Sequence, residues 1–286
     1  MKPRGDGGAT DGTNAGAAGE LRRHCAVSGA LSVAGAMLAS TDRLVLIRGN
    51  PMTGPRTGSD PASPGLEASW CATGLGDHRH CHHTYACYPY ASLPPLDPDR
   101  YTGRFDWLGP AGEPVAEQVT RLTALAAELA AGGLTLPQDF VTFRTGSRRH
   151  TARDTVSVTG CWPDLSDPLP SPAEPGAALV RFLRDQQDCV LWYLYLRPTG
   201  EASVVQSCLD HEYEAQRDGR RTESDPEESE EQRAAIFWCA PSFEEFAHRF
   251  WIENRVWRAT RGEDLPGLEP QLRDHLRHYA PPEVSV

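Results

Sequence analysis

Seven side chains that bind soft metals fall between positions 71 and 87: Cys71, His78, His80, Cys81, His82, His83 and Cys87. Zinc takes four Cys or His ligands in a tetrahedron, and a short loop can supply them. The spacing lacks the paired C-x2-C form of the recognised zinc modules. Neighbours such as Cys81, His82 and His83 cannot easily all reach one ion. Cys71, Cys81, His83 and Cys87 are the candidate ligand set, against the blander reading of a histidine-rich loop with incidental metal affinity.

Two other pairs have the spacing for chemistry. Glu245-x-x-His248 has the i, i+3 step of di-iron carboxylate bundles, which require a second such pair. The chain has no second pair, and His248 falls on the polar side of its helix, the place of a solvated histidine. Asp185 and Asp188 lie close enough to divide acid and base roles. With no paired histidine or nucleophile beside them, a turn-capping role is expected instead. The phosphate-binding glycine motifs, the serine elbow G-x-S-x-G and the zinc helix H-E-x-x-H are all missing from the sequence. No catalytic or cofactor-binding residue is assigned.

The elements that would carry these residues read unevenly along the chain. Residues 1–70 are rich in Gly, Pro and Ser and are expected to be a disordered, low-complexity extension, with 43–49 as one isolated strand. Residues 71–112 should be irregular and loop-like. From Glu113 a helix follows from Val115, Val119, Leu122, Leu125 and Leu129, with Gly132 and Gly133 as its stop. A short alternating strand is expected over 154–162, then a proline-rich loop. Residues 177–189 read as a helix or turn, and Val190–Leu196 as a central strand covered on both faces. Pro198-Thr199-Gly200 turns the chain into a returning strand at 202–207, and "AAIFWCA" reads as one more strand.

The stretch 242–257 places five aromatic rings among five charged side chains. Ser242 and Glu245 form a capping box that starts a helix. Phe243, Phe246, Phe250, Trp251 and Trp257 share one broad face, so the helix is read as a structural strut. Asn254 lies within that face and should act as a hydrogen-bonding pin. Ile252 and Val256 point the other way and need a second cover, while Leu272, Leu276 and Tyr279 give a last amphipathic piece.

Charge bounds the partner class. The net charge of −11 is uneven, since residues 201–231 carry eleven acids and three arginines. Such a surface repels phosphate backbones and favours cationic partners, although a merely solvated loop of about 209–232 is the alternative. No run reaches the ~20 apolar residues of a spanning helix, so neither nucleic acid nor membrane is expected as a partner. Residues 22–40 mimic an export signal, but they start late and follow acidic residues. A cytoplasmic location is the expectation.

The order of elements resembles the SUKH superfamily over about residues 113–260. Leu136-Pro137-x-x-Phe140-x-x-Phe143 is similar to that group's leucine-proline-x-x-aromatic signature. The stretch "CVLWYLYLRPTGEASVV" is similar to its central hairpin, and "CAPSFEEFAHRFWIENRVW" to its terminal helix. These are packing residues, and the long acidic insertion and Cys/His-rich front depart from the pattern. The resemblance implies an α+β module without catalytic activity, with a mixed, mostly antiparallel sheet flanked by helices. It implies binding to another protein, in bacteria a toxin domain and often a nuclease. A zinc-dependent regulator or enzyme at Cys71–Cys87, or a scaffold with no toxin partner, are the competing expectations.

Overall fold

The computed structural model describes residues 65–218, 226–262 and 269–280. Of the disordered extension expected over 1–70, residues 1–64, including the strand at 43–49, lie outside the described residues, whereas Glu67–Trp70 are ordered by pairing in the sheet as part of β1. An α+β fold is built on a seven-stranded mixed sheet in the spatial order β2-β1-β7-β6-β5-β4-β3. The strands are β1 (Glu67–Ala72), β2 (Ala86–Pro89), β3 (Leu169–Pro170), β4 (Ala178–Arg184), β5 (Leu191–Leu196), β6 (Ala202–Ser207) and β7 (Ile236–Ala240). Among the described strands only β1 and β7 run parallel.

The middle of the sheet follows from its side chains. The strand β5 has no charge and no exposed residue. Trp192, Leu194 and Leu196 enter one core, and Leu191, Tyr193 and Tyr195 enter the other. Aromatic and aliphatic residues on both faces mark a strand covered twice. Within the expected helix or turn at 177–189, residues 178–184 are instead β4, because their apolar side chains fill both cores and pair with β5, and only 185–189 form the turn. Asp185 closes that hairpin by accepting from the Cys189 and Val190 N–H groups at 2.6 and 3.2 Å. Asp188 takes the left-handed conformation at φ 55°, which a short acidic residue tolerates. Across the next turn, β5 and β6 pair from Leu191↔Ser207 to Leu196↔Ala202, as the sequence suggested.

Seven helices lie around the sheet among the described residues: α1 (Ala116–Ala131), α2 (Gln138–Thr145), α3 (Ala152–Val156), α4 (His211–Asp218), α5 (Pro226–Ala234), α6 (Phe243–Thr260) and α7 (Pro270–His278). Leu122, Leu125 and Leu129 of α1, Phe140 and Phe143 of α2, and Phe243, Phe246 and Phe250 of α6 fill the first core. Val119, expected on the buried face of α1, is exposed. The strand expected over 154–162 is absent: α3 occupies its start, and only Trp162 makes a bridge, to Arg184. The alternation in "TVSVT" is too polar to compete with the paired strands for the sheet interior.

Residues 71–112 are irregular in part, with four 3-10 turns, yet they are built into the same fold. The turn residue Phe105 is fully buried in the first core, and β1 joins β7 at Glu67↔Phe237 and Ala68↔Trp238. Beyond Ala68 a buried side chain continues the ladder: the Gln206 amide donates to the Ser69 carbonyl at 3.1 Å and accepts from the Cys71 N–H at 3.0 Å. One amide thereby satisfies a donor and an acceptor that burial would otherwise leave unpaired.

Candidate functional site

Cys71 and Cys87 face each other across β1 and β2 and are joined as a disulfide, with their Cα atoms 4.2 Å apart. Cys81 stands in the loop between them, half-buried, with its thiol donating to the His83 carbonyl at 2.9 Å. The four residues singled out for zinc therefore do not converge. Two are bonded to one another, which removes the thiolates that zinc requires. Among the described residues no group of three or more His, Cys, Asp or Glu is arranged to hold a metal ion.

An open cleft of about 440 Å³ borders this loop, lined in part by Asp77, His80, Cys81, Thr159 and Trp257. Thr73 on its lining is held by a buried charge network. The Arg79 guanidinium forks onto the Glu253 carboxylate, with Nη1 at 2.9 Å from Oε1, and also donates to the Thr73 carbonyl and the Tyr279 hydroxyl, each at 3.0 Å. His275 Nε2 donates to the same Glu253 at 3.1 Å. Burial pushes the Glu253 carboxyl up, but the His275 hydrogen bond and the Arg79 charge outweigh it and hold the group at about 2. Every charge here is spent on joining the loop to α6 and α7.

The helix α6 is buried around most of its circumference, and this corrects the placement of His248 on a solvated face. Its Nδ1 lies 3.0 Å from the Tyr101 hydroxyl, and its ring packs edge-on against Trp107 at 4.9 Å. Burial, with Arg100 and Arg249 nearby, lowers its pKa to about 4, so the imidazole is neutral at pH 7. Glu245 is pushed the other way, to about 7, by burial. Its N–H is capped by Ser242 at 3.2 Å, the expected start of the helix. Asn254 is the expected pin, accepting from the Val158 N–H at 2.9 Å and donating to the Phe250 carbonyl at 2.7 Å. Ile252 and Val256 meet Leu272 of α7 in a third small core.

The acidic segment is the surface that the sequence described least well. It forms helices on both sides of residues 219–225, and it does have an apolar side. Ala215 of α4 packs on the second sheet face, where Tyr193, Tyr195, Val205 and Trp238 are buried. The start of α4 is pinned to the sheet. The Tyr193 hydroxyl donates to the Leu209 carbonyl and accepts from the His211 N–H, both at 3.2 Å, and His211 Nε2 lies 3.1 Å from Ser207 Oγ. Burial lowers the His211 pKa to about 4, so it too is neutral at pH 7.

Arg181, the lone charge inside the apolar run of β4, gathers three carboxylates. It reaches Asp210 at 2.7 Å, Glu212 at 2.5 Å and Asp164 at 2.9 Å, with its own side chain only 5% exposed. Arg217 bridges Glu214 of α4 and Glu228 of α5. Glu227, Glu230 and Glu231 then face outward from α5. The result is an acidic surface fixed by packing and ion pairs. An arginine flanked on both sides by apolar residues within β4 was the one signal in the sequence for this hub.

Asp185 and Asp188 hold the β4–β5 turn, Asp188 through its ion pair with Arg184. Among the described residues no helix is long and apolar enough to cross a membrane. Comparison with protein-family models, curated proteins and solved structures finds no match to this chain.

Proposed function

We propose that this chain is a non-catalytic protein-binding module of the immunity type, which docks a basic toxin domain and neutralises it. The observation that carries the reading is the acidic segment, with α4 packed on the second sheet face, α5 tied to α4 through Arg217, and glutamates outward. A carboxylate surface held in place loses less conformational entropy on binding than a free loop, and it steers a cationic partner toward one site. The same reading is supported by the resemblance of the aromatic helix and central hairpin to SUKH modules, which bind proteins. The polar groups of the interior agree with it, since Arg79, Glu253, Asp185 and Asn254 are engaged in holding segments together.

The test is affinity capture from native lysate at low salt, repeated at high salt, with bound proteins identified by mass spectrometry. One stoichiometric basic partner, released at high salt, is the expected result. A tight partner indifferent to ionic strength overturns the electrostatic part of the proposal, and co-purifying enzymatic turnover overturns the rest.

A further inference from the structure

We infer that the docking surface is a patch in which two exposed aromatic rings, Trp162 and Tyr213, flank one continuous carboxylate–arginine network, and that it receives an arginine-presenting protein segment. This rests on the binding function proposed above and gives it a location and a partner chemistry.

Three large hydrophobic side chains among the described residues are exposed: Val119, Trp162 at 40% and Tyr213 at 55%. Single surface hydrophobics are ordinary. Trp162 and Tyr213 differ because both are anchored by their backbone to the same chain of ion pairs. Trp162 exchanges two main-chain hydrogen bonds with Arg184, at 2.9 and 3.2 Å, and the Arg184 guanidinium lies 5.7 Å from its ring centre. Arg184 binds Asp188 and Asp164, the latter at 3.0 Å. Asp164 is shared with Arg181, which holds Asp210 and Glu212. Tyr213 is the next residue, and its N–H donates to Asp210 at 3.4 Å.

Four carboxylates against two guanidinium groups leave this network negative. Asp164, Asp210, Glu212 and Asp188 keep 22–48% of their side-chain surface in solvent, so their outer lone pairs remain accessible. A guanidinium matches such a surface in two ways that an ammonium does not. It bonds carboxylates through a planar fork, and it stacks on aromatic faces. Tyr, Trp and Arg are also the residues in which interface energy concentrates.

The experiment uses the full chain and fluorescein-labelled nona-arginine and nona-lysine peptides, read by anisotropy at low salt. Nona-arginine should bind more tightly than nona-lysine. The W162A and Y213A variants should each weaken nona-arginine about thirtyfold, the lower edge of an interface hot spot. W162F and Y213F should retain most of the affinity. If W162A fails to fold, judged by its circular dichroism, Y213A and W162F carry the test, because Tyr213 lies exposed on a helix. E230Q/E231Q, which removes two charges of α5 outside this network, should lower affinity only modestly. Unchanged binding in both aromatic variants with loss in E230Q/E231Q overturns the patch and leaves acidic docking standing. Equal binding of the two peptides removes the arginine preference. No binding of either peptide at low salt overturns both the patch and the function it rests on.

Discussion

Replacing Arg79 with methionine leaves Glu253 buried without its fork of donors. Arg79 and Glu253 keep only 5% and 6% of their side-chain surface in solvent, so water cannot take over. Breaking one side of such a pair costs about 3–5 kcal/mol. The Glu253 carboxyl gives a similar figure: it lies at about 2 in the folded chain against an ordinary 4.5. At ~1.4 kcal/mol per pKa unit, its charged form contributes on the order of 3 kcal/mol to folding. Because the folded pKa is depressed, this stability is fully present above pH 4.5 and is lost as pH falls toward 2. In R79M burial should instead raise the carboxyl, so acid protonates it and relieves the penalty. Urea unfolding at pH 7 should therefore show R79M about 3–5 kcal/mol less stable than the parent chain, with a smaller gap at pH 4. The double variant R79M/E253M should recover part of the loss, since no buried charge remains. A gap under about 1 kcal/mol at pH 7, or one that widens in acid, would refute the network as described.

Gln206→Leu should cost about 2 kcal/mol or more in urea unfolding, because it strands the Ser69 carbonyl and the Cys71 N–H. Hydrogen exchange at the Cys71 amide should rise in the same variant, and unchanged protection would contradict the bridging role. Alkylating the denatured, unreduced chain should leave Cys71 and Cys87 unmodified while Cys81, Cys161, Cys189, Cys208 and Cys239 react. Opening that disulfide, whose cysteines are 16 residues apart, should cost about 3 kcal/mol. Histidine titration by NMR should find His211 and His248 neutral down to about pH 4. A base whose folded pKa is depressed contributes stability above its ordinary pKa of 6.5 and loses it as pH falls to about 4. His211→Gln should flatten the acid limb of the stability profile in that window.

The central strand was legible because a charge-free run of apolar and aromatic residues over 190–196 reads as a strand covered on both faces, and β5 is one. The strut helix was legible in its cap, its three phenylalanines and the Asn254 pin, whereas Trp251 and Trp257, expected on the same face, lie half-buried against the third small core with Ile252 and Val256. Placement of charge was not. His248 lies on the polar side of an isolated helix, and only the loop bearing Tyr101 and Trp107, more than a hundred residues away, buries it. Residues 177–184 were misjudged because Arg181 and Arg184 interrupt an apolar run; the carboxylate partners of Arg181 come from other segments of the chain. Cysteine spacing could not separate a metal set from a cross-strand pair, since register decides that, and register was set by β1 and β2 pairing. The acidic segment looked featureless because its apolar contribution rests on few residues, among them Ala215.

The most direct test of acidic docking is the association rate of a captured partner with this chain as a function of ionic strength. The account predicts a rate that falls steeply with salt, and a shallower slope for E230Q/E231Q, with dissociation little changed. A rate independent of salt, or identical slopes for the two chains, would contradict it.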